Sequence, residues 1–127
     1  MLGNIKIEEV LFLDIETVPQ SPSAELLEAP MQLLWDKKSK LFRSPEQSAG
    51  EVYERAGIYA EFGRIICISV GFMREKNPFS FRLKSFYNTD EKALLIEFSD
   101  MLAKFCTSKK EALLCAHNGK EFDFPYI

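Results

Sequence analysis

Two short stretches hold acids where a folding chain gains least from them. Leu13-Asp14-Ile15-Glu16-Thr17 follows directly on the apolar run Val10-Leu11-Phe12-Leu13. Side chains alternate across a strand, so Asp14 and Glu16 are expected on one face. Two carboxylates side by side at the end of a buried strand repel each other and lose hydration. A hard divalent cation relieves both effects: magnesium takes oxygen ligands and is commonly held by one or two carboxylates together with substrate phosphate. The plainer alternative is a strand whose last residues run out into solvent. In the second stretch, Cys115-Ala116-His117-Asn118-Gly119-Lys120-Glu121-Phe122-Asp123-Phe124-Pro125, Asp123 follows an apolar segment and a Gly turn and precedes a helix start. Such an acid is either a helix cap or a ligand at a strand end, where α/β sheets place their sites.

The elements that must position these acids follow from patterning. Residues 8–17 read as a central strand, stopped by Val18-Pro19-Gln20-Ser21-Pro22. From about 23 to 63 the pattern turns helical. Ser23 can cap a helix carrying Leu26, Leu27, Pro30, Leu33 and Leu34, which Pro30 must kink or divide, and Ser44-Pro45 reads as a second helix start. This excursion is expected to be too short and too mixed for a core of its own, with Trp35 packed on the sheet. Residues 64–73 and 79–87 read as two strands joined by a hairpin turn at 74–78. A helix follows, capped by Asn88 or Thr89, with Asp90 and Glu91 at its positive end and an apolar stripe of Leu94, Leu95, Phe98, Met101, Leu102 and Phe105. Residues 112–116 read as a fourth strand, and a new helix should begin near Phe124-Pro125. The order predicts an α/β fold with a mixed sheet, and a right-handed crossover through the helix at 89–106.

Composition narrows the partners. Sixteen basic against 19 acidic residues give a net charge of −3, which excludes a broad basic coat for nucleic acid. Any such contact must be local or run through metal ions. The three cysteines, Cys67, Cys106 and Cys115, cannot all pair; each lies in an apolar stretch and is expected to be a buried thiol in a reducing compartment. The apolar run at 65–73 is far shorter than the roughly 20 residues a bilayer requires. No membrane partner and a cytoplasmic location are therefore expected.

Together the two acidic segments are more specific than either alone. Phe12-Leu13-Asp14-Ile15-Glu16-Thr17 and His117-Asn118-Gly119-x-x-Phe122-Asp123-x-Pro125 resemble the first and second motifs of the DEDD 3′–5′ exonucleases of the RNase H-like superfamily. The nearest likeness is to the exonuclease domain of family B DNA polymerases and to stand-alone bacterial proteins similar to it. Residues 54–69, ERAGIYAEFGRIICIS, also look like that group's lead-in to its second strand, so the resemblance covers most of the chain. It implies an RNase H-like mixed sheet with flanking helices and a two-metal phosphodiesterase using Mg2+ or Mn2+. Asp14 would bridge both ions, Glu16 would hold the ion that activates water, and Asp123 the ion on the leaving-group side. Thr17, Asn118 and Phe122 would lie near the terminal nucleotide of a single-stranded or frayed 3′ DNA end, or of RNA. Phe122 is expected to pack rather than stack. His117 is expected to be a hydrogen-bonding loop residue, since the family's general base is a Tyr or His in a third motif.

These 127 residues contain no third motif. The chain is therefore expected to be the amino-terminal part of such a domain, lacking the fifth strand, the last helix, the fourth acid and the base. One bound ion or none, and weak or no turnover, are expected. The rivals are another RNase H-like nuclease, such as an endonuclease or resolvase, and a non-catalytic nucleic-acid-binding or protein-interaction module. The excursion could also serve as a docking arm through Trp35, Lys37, Lys38, Lys40 and Arg43. Self-association is expected through an exposed fourth strand, with Leu113, Leu114, Cys115, Phe122, Phe124, Tyr126 and Ile127 in or beside that region.

Overall fold

The computed structural model describes residues 4–74 and 80–127. Its elements in chain order are β1 (Val10–Pro19), α1 (Ala29–Ser39), β2 (Gly63–Arg74), β3 (Ser80–Tyr87), α2 (Glu91–Ser108), β4 (Leu113–Cys115) and α3 (Asp123–Tyr126). The strands form one mixed sheet in the order β3-β2-β1-β4. β2 and β3 are antiparallel, from Cys67 opposite Tyr87 to Arg74 opposite Ser80. β1 and β4 are parallel, with Val10, Leu11 and Phe12 beside Leu113, Leu114 and Cys115. The expected α/β class with a mixed sheet is what forms. The hairpin turn expected at 74–78 and the first residue of the third strand, Phe79, lie outside the described residues beyond Arg74.

The chain divides into two compact units, Met1–Glu16 with Ile66–Ile127, and Thr17–Ile65. In the first unit, Leu94, Phe98 and Phe105 of α2 are buried, one helical face as their spacing predicts. Phe98 meets Phe86 of β3 edge-on at 5.9 Å between ring centroids, and Phe105 meets Phe72 of β2 at 6.0 Å. The cap of α2 is Asp90 rather than Asn88 or Thr89: its carboxylate accepts the Lys92 amide at 3.0 Å, while the Asn88 side chain accepts the Asp90 amide. β4 is three residues long where five were expected, and α3 starts at Asp123.

The cysteines are not buried core residues. Cys67 is half-buried, and Cys106 and Cys115 are exposed. Cys106 sits one position past Phe105, a turn of about 100° away from the buried face of α2. Cys115 closes a short strand at the sheet edge, where little covers it.

The second unit departs most from expectation. Pro30 does divide the helical pattern, leaving a 3-10 turn at Ala24–Leu26 and then α1, with the proline in its first turn. Residues 44–47 form a turn instead of a second helix, closed by the Gln47 amide on the Ser44 carbonyl and by the Gln47 side chain on the Ser44 amide. The unit buries a core of its own: Ala24, Leu27, Trp35, Val52, Tyr53, Ala56 and Phe62. Trp35 is its centre, fully buried and within 5.2–6.3 Å, centroid to centroid, of Phe42, Tyr53, Tyr59 and Phe62. Its indole N–H donates to the Ala49 carbonyl at 2.8 Å, so the ring is both packed and satisfied. Trp35 thus belongs to this unit's aromatic core. Leu26, Leu33 and Leu34, which fall near helical spacing in the sequence, are exposed. Among the described residues no helix is long and apolar enough to cross a membrane.

Candidate functional site

β1 delivers the first two acids as its period predicts. Leu13 and Ile15 are buried, and Asp14 and Glu16 between and after them are exposed. The alternation places both carboxylates on the same face of one strand. Neither makes an ion pair among the described residues.

The second acid-bearing segment is shaped by its turn. After β4 the chain reverses through residues 117–122, with Asn118 in the left-handed region at φ 54°, a conformation an asparagine tolerates. The Asn118 carbonyl accepts the Glu121 and Phe122 amides at 3.0 and 3.2 Å. Gly119 is buried in the bend; a Cβ there would lie 2.6 Å from the Ala116 Cβ and 2.9 Å from the Phe124 ring, so only glycine fits. The Phe124 amide then donates to the Gly119 carbonyl at 2.8 Å, and α3 begins.

Asp123 is not a helix cap. The residue at the cap position is Phe122, whose side chain makes no capping bond. The Asp123 carboxylate, 2% exposed, accepts the main-chain N–H of Ile15 at 3.2 Å, across 108 residues of sequence. The reason lies in strand lengths. β4 pairs β1 only from Val10 to Phe12 and stops at Cys115. Ile15 lies beyond that end, and a buried main-chain N–H needs an acceptor; Asp123 supplies one. The acid of the second segment is thereby joined to the backbone position between Asp14 and Glu16.

The remaining sequence candidates fall out as follows. Asn118 is exposed on the turn, and so is His117. Phe122 is half-buried and meets Tyr126 edge-on at 5.4 Å, so it packs, as expected. Thr17 is committed within its own unit: its hydroxyl donates to the Gly57 carbonyl at 2.7 Å. Gly57 was not singled out by the sequence, yet a Cβ there would press on the Val18 and Pro19 backbone at 3.1–3.2 Å. Among the described residues no group of three or more His, Cys, Asp or Glu side chains is arranged to hold a metal ion. One oxygen of the Asp123 carboxylate is taken by the Ile15 amide, at the residue between Asp14 and Glu16.

No protein-family model, no curated protein and no solved structure matches the chain.

Proposed function

We propose that the chain is a metal-dependent 3′–5′ exonuclease domain of RNase H-like architecture, hydrolysing phosphodiester bonds from the 3′ end of single-stranded or frayed DNA, or of RNA. The observation that carries the proposal is the bond from the Ile15 amide to Asp123. It ties the segment Asn118-Gly119-x-x-Phe122-Asp123 to the strand end Asp14-Ile15-Glu16, the pairing that the resemblance of the two motifs implies. The strand order β3-β2-β1-β4, with β1 and β4 parallel, is compatible with the proposed architecture.

The donor set suits one ion. Two exposed carboxylates on one strand face match the one or two that magnesium takes alongside water and phosphate. A two-ion arrangement would need a third acid beside the pair; Asp123 has one oxygen on the Ile15 amide, and among the described residues no group of three acids is arranged around an ion. Mg2+ or Mn2+ held by Asp14 and Glu16 would supply Lewis-acid polarisation of a phosphate oxygen and lower the pKa of a bound water. The chain's own contributions are narrower. Asp14 and Glu16 provide anionic oxygens on one face, Asp123 fixes the backbone between them, and the exposed Asn118 offers amide contacts to a terminal nucleotide. With two carboxylates and no group of three among the described residues to hold a second ion, turnover is expected to be slow.

The test is metal-dependent degradation of a 3′-labelled and a 5′-labelled oligonucleotide, with calorimetry of Mn2+ binding. We expect weak Mn2+ binding that Asp14→Ala and Glu16→Ala each remove, and slow shortening from the 3′ end. No Mn2+ binding, or cleavage that Asp14→Ala leaves untouched, overturns the proposal. The second reading, a non-catalytic nucleic-acid-binding or protein-interaction module, is favoured by the missing three-acid group among the described residues. It predicts oligonucleotide binding indifferent to metal, or none.

A further inference from the structure

We propose that the unit Thr17–Ile65 docks an acidic amphipathic helix of another protein along α1. The proposal is independent of the nuclease reading. A groove of about 540 Å³ beside α1 is lined by Met31, Leu34, Lys37, Lys38 and Leu41, with Glu61 and Phe62. Leu34 and Leu41 are 52% and 81% exposed, although this unit has a buried core they could have joined. Met31, Leu34 and Lys38 follow one another on α1 at spacings of three and four, one helix face, and Leu41 stands in the turn just past its end.

Charge selects the partner. Asp36, the one acid of α1, is already engaged, with the Lys40 ammonium and the Arg43 guanidinium each at 2.7 Å. Lys37 and Lys38 make no ion pair among the described residues, and the Lys38 ammonium lies 4.4 Å from the Tyr59 ring centroid. The lining holds two cations and one acid, Glu61, so it is net positive, and an incoming helix gains by carrying Asp or Glu beside its apolar stripe. A second copy meeting this one patch to patch would set Lys37 and Lys38 against their own kind. Single-stranded nucleic acid needs exposed aromatic faces for stacking, and here Trp35 and Phe62 are buried.

The probe is a fluorescein-labelled helical peptide roughly 18 residues long, about five turns, with Leu at the i, i+3, i+4 and i+7 positions and Glu beside them. The control peptide carries Lys in place of Glu. Fluorescence anisotropy should saturate with the Glu peptide, and the Lys peptide should bind about tenfold or more weakly, the equivalent of about 1.4 kcal/mol. Leu34→Glu with Leu41→Glu should abolish binding while the circular dichroism spectrum and urea midpoint stay as in the parent, because both side chains are exposed. Lys37→Glu with Lys38→Glu should reverse the preference between the peptides. Three results overturn the proposal: equal binding of both peptides, binding that survives the leucine substitutions, and no binding of the Glu peptide. Sedimentation showing a dimer that Leu34→Glu dissolves, or an oligonucleotide that displaces the Glu peptide, would assign the groove to another occupant and overturn it as well.

Discussion

The bond between Asp123 and the Ile15 amide makes a graded prediction. Asp123→Ala removes the acceptor and leaves a main-chain N–H unpaired in a place where Ile15 is 5% exposed. An unsatisfied buried donor costs about 1–3 kcal/mol, and hydrogen bonds to charged groups contribute about 1.5–3 kcal/mol. We therefore expect Asp123→Ala to lower stability by about 2–3 kcal/mol. Asp123→Asn keeps an oxygen at the same place. It weakens the bond by removing the charge but also removes the cost of holding a carboxylate at 2% exposure. The two effects oppose, so the asparagine variant should lie within about 1 kcal/mol of the parent. Urea denaturation gives the two differences, and amide hydrogen exchange at Ile15 reports the bond itself: protection should fall in the alanine variant and persist in the asparagine variant. If asparagine destabilises as much as alanine, or if alanine costs less than about 0.5 kcal/mol, the carboxylate is not holding the strand and the argument fails. Mn2+ calorimetry on the same pair separates this role from direct ligation: a strand-holding Asp123 predicts that the asparagine variant binds the ion like the parent, and a ligand predicts that it does not.

Trp35→Ala should cost about 3–5 kcal/mol, since it empties the centre of a cluster with four aromatic neighbours and orphans the Ala49 carbonyl; a loss under about 1.5 kcal/mol by urea denaturation would contradict a core around Trp35. Hydrogen bonds from Lys40, and then from Arg43, hold the Asp36 carboxyl below its ordinary pKa. Its folded-state value is depressed, so its contribution is present at neutral pH and is lost as pH falls through that value; Asp36→Asn should flatten the acid limb of stability against pH, and an unchanged limb would refute the linkage. β4 pairs on one side only and leaves Leu114 exposed. Self-association through this edge should show as concentration-dependent sedimentation that Leu114→Lys suppresses, and sedimentation unchanged by that substitution would rule the edge out.

What the sequence determined by itself is whatever depends on local period and backbone chemistry. The run from Val10 to Glu16 announces a strand whose last acids share a face, and the burial alternates accordingly, because a strand's period of two leaves no choice. Leu94, Phe98 and Phe105 announce the buried face of α2 through a period near 3.6. Asn118-Gly119 announces the turn, since one residue tolerates positive φ and the other lacks a Cβ the bend has no room for. The tertiary structure decided everything that depends on what lies opposite. Cys106 and Cys115 sit in apolar surroundings in sequence but on uncovered faces in space. The leucines at 26, 33 and 34 fall near helical spacing, yet Trp35 took the centre: one large ring with a satisfied N–H gathers the aromatics at 42, 53, 59 and 62, which no helical period links. The partner of Asp123 was least legible of all. It is a main-chain amide, which every residue but proline carries, so no side-chain pattern marks it, and only the length of β4 beside β1 determined that this amide needed an acceptor.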